Sequence, residues 1–438
     1  QAKRGQIDMV LVMLTTLSMW GLLRHLLLGP HWRLFWLGMF AAGVGTVTKG
    51  VGFLPLLALL PWLGLHWSGR VKIASQPRDG WRWLLGALCF IAGTGVWLVP
   101  MLAAVYRSTD PALYEYARGL LFKQTGTRYA AAWHHVQPFW YYLKVIVTLW
   151  LPGALLLPWL LPAWWRRLRR GDPRVWMLLG WSLLVLLFFS ASPGKREVYI
   201  FPILPMVCVA AAPLLHGLLQ RVAVRRTLFA YLLVLGLAFA GLALSALLGS
   251  SEWAHRLATQ RGIGGETLMT FVRWLLALGI TMLGILAWAR LRHVGLALVL
   301  STSALWFTYG VGLAPTLDAD SSARGLMQRA GKEIGPDAQL AMVAWREQNM
   351  LQADRPVVDF GFKQPWHQQW SEAGPWLADD PARRWVLVLD KALSPCVDVG
   401  RVVDIGQSNR NRWLLVPGDA WKAGCVTPAF ATDTDPTR

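Results

Sequence analysis

Along the 438 residues, apolar stretches of about twenty residues recur, separated by short polar or charged connections. Such a stretch, wound as a helix, crosses roughly 30 Å of hydrocarbon while satisfying its own backbone hydrogen bonds, as lipid demands. The pattern predicts ten spans, over 9–28, 33–48, 51–66, 83–105, 139–163, 175–192, 198–219, 228–249, 269–289 and 294–314. The second and third are short and joined by "TKGVGF", so they are expected to be tilted or partly re-entrant. From about residue 315 the period changes. "SSARGLMQRAGKEIG" has helical spacing, whereas "AQLAMVAW", "RPVVDFGF", "RRWVLVLDKAL", "RVVDIG" and "RWLLVPG" read as strands. The expected fold is a mainly α, polytopic membrane domain over 1–314, followed by a small α/β domain over 315–438.

Composition agrees. The chain is 55% hydrophobic and only 15% charged, against about a quarter charged for a soluble domain, and its mean hydropathy is +0.39. The 27 Trp suit a membrane–water boundary. A net charge of +19 raises the question of nucleic acid. The basic residues, however, sit mostly in short loops between apolar runs, and no basic stripe with interleaved aromatics appears on a soluble segment. Membrane orientation and anionic headgroups explain them, and no nucleic-acid partner is expected.

The densely basic loops "SGRVKIASQPRDGWR" (68–82), "WWRRLRRGDPR" (164–174), "QRVAVRRT" (220–227) and "ARLRH" (289–293) fall on one side by parity and read as cytoplasmic. The other side then holds "TKG" (48–50), the long loop 106–138, "SPGKREVY", the loop 250–268 and the tail domain, which is thereby extracytoplasmic. That domain has no glycine-rich phosphate loop, so no nucleotide site is expected in it. Cys89 and Cys208 lie in apolar spans as small hydrophobes. Cys396 and Cys425 lie in the tail, where a disulfide is permitted if the domain is outside, although spacing alone does not bring two Cα atoms together. Without histidine companions they do not suggest zinc. The sequence opens "QAKRGQIDMV", with no initiator Met or signal sequence, and reads as a piece of a longer chain.

Candidate chemistry gathers on the outer face. In the loop 106–138, "PALYEYARGLLFKQ" has the pattern of an interfacial amphipathic helix. Arg128, Tyr129, His134 and His135 follow, and then "PFWYY", whose aromatics suit an interfacial belt. A histidine such as His135 can hold a metal, shuttle a proton or bind phosphate. Lys195 either snorkels to headgroups at a helix end or meets a lipid phosphate, with Tyr199 one turn later extending the site. Asp8 and Lys49 carry the same ambiguity. Asp8, Lys49, Arg128, His135 and Lys195 all fall at one membrane face, which favours a single site over separate accidents.

At these residues the chain resembles a family. "RYAAAWHHVQPFWYY" is similar to an Arg-aromatic…His-x-x-Pro-Phe-Trp-Tyr-Tyr signature, and "SASPGKREVYIFPILP" to a Ser…Lys-x-x-x-Tyr-x-x-Pro signature. "RGQIDM" and "TKG" match two further places in the same order. The pattern is that of the membrane-embedded GT-C glycosyltransferases related to bacterial aminoarabinose transferases and dolichyl-phosphate-mannose-protein mannosyltransferases. It covers about residues 1 to 220.

The resemblance implies a glycosyltransferase of the bacterial inner membrane, multi-pass, with a periplasmic tail domain. Its donor would be a polyprenyl-phosphate sugar and its acceptor lipid A, a protein or another glycan. The family's catalytic acid lies in a first extracytoplasmic loop, which would fall upstream of Gln1, so no catalytic residue is assigned within this chain. Asp8 would line the cavity, Lys49 would lie near the donor, and Arg128 and Tyr129 would belong to the substrate site. His135 would help hold a divalent metal, the one cofactor implied, together with an acid from the preceding segment. Lys195 and Tyr199 would contact the phosphate or the polyprenyl head. Arg196 and Glu197 depart from the family pattern. The competing readings are a transporter or flippase of a lipid-linked anion, against which no paired halves are seen, and a structural assembly factor.

Overall fold

The computed structural model describes residues 7–69, 79–109, 111–121, 136–249, 251–261, 263–362 and 364–430. The chain divides into two compact units, 1–227 and 228–438. In the first, α1 (Asp8–Leu28) and α2 (Trp32–Lys49) form an antiparallel pair, and a 3-10 turn (Leu54–Ala58) leads into α3 (Leu59–Ser68). Next come α4 (Gly80–Arg107) and the short α5 (Pro111–Arg118). From residue 136 onward come α6 (Tyr141–Leu149), α7 (Leu157–Arg169), α8 (Pro173–Ala191), a 3-10 turn (Glu197–Ile200) and α9 (Ile203–Leu219). Helix α10 (Val222–Leu247) begins in this unit and continues into the next.

Helix lies within each predicted span, because a backbone bound for lipid has no other local way to satisfy its polar groups, but not all ten are long and apolar enough to cross a membrane, Trp32–Lys49 among those that are not. Six helices among the described residues are long and apolar enough to cross a membrane, and a bent pair makes a seventh. That pair corrects the expectation of one continuous span over 139–163. Helix α6 ends at Leu149, and α7 leaves at 99° after a 3-10 turn (Gly153–Leu156). Pro152 supplies the cause: it offers no backbone N–H to continue the ladder, and it disfavours helical geometry at the residue before it. The runs 51–66 and 198–219 likewise resolve into shorter helices, Leu54–Ser68 and Ile203–Leu219.

Small residues set the closest packing of the first unit, as is usual where lipid removes the hydrophobic drive between helices. Gly43 of α2 and Gly93 of α4 face one another. A Cβ on Gly93 would meet the Phe40 carbonyl, and one on Gly43 the Phe90 carbonyl. On its far side α4 leaves Leu84, Leu88, Ile91, Trp97 and Val99 exposed, as a lipid-facing helix does. After α2 the chain turns back tightly. Gly50 adopts φ 70°, its N–H bonds the Thr46 carbonyl, and Gly52 lies where any side chain would strike the backbone of Gly45 and Thr46. Trp181 of α8, fully buried, donates its indole N–H to the Leu54 carbonyl at 2.8 Å and so ties α8 to that turn.

The second unit holds α11 (Glu252–Arg261), α12 (Gly265–Ala289) and α13 (Val294–Phe307), which runs through a π-turn (Thr308–Leu313) into α14 (Ala314–Ser321). A five-stranded sheet follows, in the order β2-β1-β3-β5-β4, where β1 is Gln339–Val343, β2 Val357–Asp359, β3 Arg384–Leu389, β4 Val403–Ser408 and β5 Asn411–Pro417. The strands β2, β1 and β3 are parallel, with Met342 opposite Leu387, while β5 pairs antiparallel with both β3 and β4. Helices α15 (Arg324–Ile334), α16 (Glu347–Leu351) and α17 (Trp366–Asp379) complete the domain. Leu326, Leu340, Met342, Trp370, Val386 and Leu415 are fully buried in its core. Cys396 and Cys425 are joined by a disulfide with their Cα atoms 5.6 Å apart, within the range such a bond needs.

Candidate functional site

The site is built at helix ends. Asp8 occupies the first turn of α1 and Lys49 the last turn of α2. Because the two helices are antiparallel neighbours, both residues arrive at the same end of the pair. Each also suits its terminus, an acid at the positive end of one helix dipole and a base at the negative end of the other. The Lys49 ammonium bonds the Asp8 carboxylate. Asp8 is only 7% exposed, so this pair is largely withdrawn from water.

The Lys49 ammonium also lies over the ring of Tyr199, 5.1 Å from its centroid. Tyr199 stands in the 3-10 turn that opens the way into α9, with its N–H on the Arg196 carbonyl and its ring against Phe189 of α8, centroids 5.4 Å apart. Three residues far apart in sequence thus form one cluster of carboxylate, ammonium and phenol.

Lys195 is placed differently. It is 4% exposed, and its ammonium donates to two backbone carbonyls, Gln137 at 2.9 Å and Ser192 at 2.6 Å. Burial pushes its pKa below the ordinary lysine value. Beside it, Val136 pairs with Gly194 in an antiparallel bridge, and the Gln137 N–H donates to the Pro193 carbonyl at 3.2 Å. The segment leading into α6 is therefore fastened to the segment leading to Tyr199. Tyr142, 1% exposed, lies just beyond this fastening in the first turn of α6.

Of the residues named from the sequence, the structure brings Asp8, Lys49 and Tyr199 into contact and sets Lys195 four positions from Tyr199, on backbone carbonyls. Arg128, Tyr129 and His135 lie outside the described residues. Among the described residues no three His, Cys, Asp or Glu side chains gather to hold a metal ion. Sequence reasoning missed Phe189, which backs the Tyr199 ring, and Gln137, whose contribution is a carbonyl. An apolar residue in a span and a backbone group carry no distinguishing signal, though the "SPG" before Lys195 does mark a turn.

Comparison with known proteins adds to this geometry. Residues 129–258 match the Alg9-like mannosyltransferase family. An undecaprenyl phosphate-alpha-4-amino-4-deoxy-L-arabinose arabinosyl transferase of Pseudomonas aeruginosa (strain UCBPP-PA14) is 29% identical over 401 residues, covering 86% of this chain and 66% of that protein. Its counterpart in Pseudomonas paraeruginosa (strain DSM 24068 / PA7) is 35% identical over 187 residues, covering 41% of this chain and 30% of that protein. The chain thus spans just under two thirds of the length of the Pseudomonas aeruginosa relative. Among solved structures, apo ArnT from Cupriavidus metallidurans superposes with a TM-score of 0.61 at 18% identity, covering 95% of this chain and 75% of that one. The same protein bound to undecaprenyl phosphate gives 0.55 at 16% identity, covering 94% and 74%. The shared motifs, the helical membrane fold and these relatives agree in what the chain is similar to: the membrane-embedded GT-C glycosyltransferases of the aminoarabinose-transferase type.

Proposed function

We propose that the protein transfers a sugar from a polyprenyl-phosphate-linked donor to an acceptor on the outer side of the bacterial inner membrane, the family resemblance offering lipid A, a protein or another glycan in that role. One observation carries this reading: the ammonium of Lys49, held by Asp8 and seated over Tyr199, sits at the ends of apolar helices. A polyprenyl phosphate presents a single anionic group at the end of a long hydrocarbon tail. The spans supply apolar surface for the tail, and Lys49 with the Tyr199 hydroxyl supplies a cation and a donor for the phosphate.

In the transfer, an acceptor oxygen attacks the anomeric carbon. The bond from that carbon to the phosphate oxygen breaks, and polyprenyl phosphate leaves with one more negative charge. Lys49 and Tyr199 stabilise that charge as it develops, and a donor already in place needs no reorganisation at that moment. Asp8 keeps Lys49 in position. The acceptor's proton passes to a general base, a role assigned to none of the residues described above. The tail domain lies in the periplasm, where its disulfide is stable.

The test uses the full-length protein in membranes, supplied with a panel of polyprenyl-phosphate sugars, and measures release of free polyprenyl phosphate with and without lipid A. Acceptor-dependent release is expected, falling about 100-fold or more in Lys49→Met, as for loss of one preorganised donor to a developing anion. Labelled lipid crossing the bilayer with no release from any donor would replace the transferase by a flippase.

A further inference from the structure

Lys195 is a buried cation whose surroundings are not those of a surface anchor. A snorkelling lysine extends its stem along apolar surface and keeps its ammonium in water, whereas this residue is 4% exposed and its ammonium points onto the Gln137 and Ser192 carbonyls. The structure gives it no carboxylate partner among the described residues. Burying an ammonium costs free energy that hydrogen bonds to carbonyls offset in part. What those bonds achieve is mechanical. Gln137 is two residues after His135 and four before Tyr141, the start of α6, while Ser192 ends α8. The same two segments meet again at the Val136–Gly194 bridge and the Gln137–Pro193 hydrogen bond. Four residues after Lys195, Tyr199 carries the ring on which Lys49 rests.

We infer that Lys195 is a positioning residue: its ammonium clamps the segment that follows His135 onto the Pro193–Gly194 turn and so fixes Tyr199 relative to the start of α6, without itself binding the donor. The inference rests on the donor-phosphate reading above and assigns the phosphate's cation to Lys49. A clamp of this kind acts on the geometry of transfer more than on affinity. A misplacement of about 1 Å in a reacting assembly is enough to cost on the order of 100-fold in rate.

Two measurements on the full-length protein separate the clamp from a phosphate ligand: the affinity for undecaprenyl phosphate, and kcat and KM for donor turnover. Lys195→Met keeps the apolar stem and removes the donors. The expected result is undecaprenyl phosphate affinity within about threefold of the parent and kcat at least about tenfold lower, whereas Lys49→Met loses affinity. A second variant supplies the clamp covalently. Facing residues of an antiparallel bridge lie about 4.5–5.5 Å apart at Cα, which a disulfide spans. Val136→Cys with Gly194→Cys in the Lys195→Met background should recover turnover when oxidised and lose it again when reduced. A tenfold loss of lipid affinity in Lys195→Met, with no rescue by the cross-link, would make Lys195 a phosphate ligand and overturn the clamp, as would unchanged turnover. Failure of the parent itself to bind the lipid or turn over donor sinks the donor-phosphate reading, and the clamp with it, a pattern distinct from either of these.

Discussion

Lys49 is held from two sides, by the Asp8 carboxylate and by the face of the Tyr199 ring. These contacts respond differently to substitution. Removing one partner of a poorly hydrated ion pair costs more than removing both, because the survivor is left charged and unpaired. Asp8→Asn should therefore lower the melting temperature and the transfer rate together. Asp8→Asn combined with Lys49→Met should recover most of the melting temperature and none of the rate. The ring contributes less: a cation over an aromatic face stabilises by about 0.5–2 kcal/mol. Tyr199→Leu should thus bind donor about twofold to thirtyfold less tightly than Tyr199→Phe, measured side by side. The members of this cluster were legible in the sequence, since Asp8 opens an apolar run and Lys49 stands before Gly50 at the end of another. Their pairing was not. It depends on α1 and α2 being antiparallel neighbours in contact, a fact of tertiary packing that no local pattern states. The same holds for Lys195, whose acceptor on Gln137 is 58 positions away and is a carbonyl.

Helix contacts carry the residue geometry upward. The α2–α4 contact, closed through Gly43 and Gly93, backs the helix that ends in Lys49. Gly93→Leu has no room for its side chain against the Phe40 backbone, and overpacking of this kind costs about 1–3 kcal/mol. The melting temperature in detergent should drop accordingly, and donor turnover with it. Gly64→Ala in α3 is the control, since a Cβ there meets nothing within 4 Å, and it should leave both unchanged. The hydrophobic pattern indicated where helices lie throughout this unit, because apolar runs of span length admit little else. It failed at 139–163, where apolarity continues unbroken through Trp150, Leu151 and Pro152 while the chain bends by 99°. Hydropathy measures solvent preference, and a bend buried in or against lipid changes none of it.

At the scale of the molecule, the chain ends its helical run in a five-stranded sheet with its own buried core. All its strands were readable in advance as short β-branched and aliphatic runs, but their order was not, since β5 inserts between β3 and β4. Its charges make a testable pH dependence. A side-chain hydrogen bond from Arg355 holds the Asp354 carboxyl below the usual carboxylate range, and one from Arg412 does the same for Asp404. A carboxyl whose pKa is depressed by folding contributes stability above its unfolded value, about 4, and loses that contribution as pH falls through the folded value. Amide exchange in β1 and β3 should accelerate below about pH 4, and less steeply in Asp354→Asn with Asp404→Asn. Both pairs are partly exposed, so the effect should shrink in salt.

With the tail domain in the periplasm, as proposed above, the Cys396–Cys425 bond has a further consequence, for biogenesis. Cys396 is completely buried in the finished domain, and the bond closes a stretch of 29 residues back onto the sheet. Thiols kept in the reducing cytosol do not make that closure. A nascent chain whose last segment stalls during insertion would retain two alkylatable sulfurs, whereas a correctly delivered one would retain none at these positions. The pair therefore timestamps delivery: the fraction of molecules protected from a thiol reagent during a pulse-chase reports, molecule by molecule, how many have completed their passage.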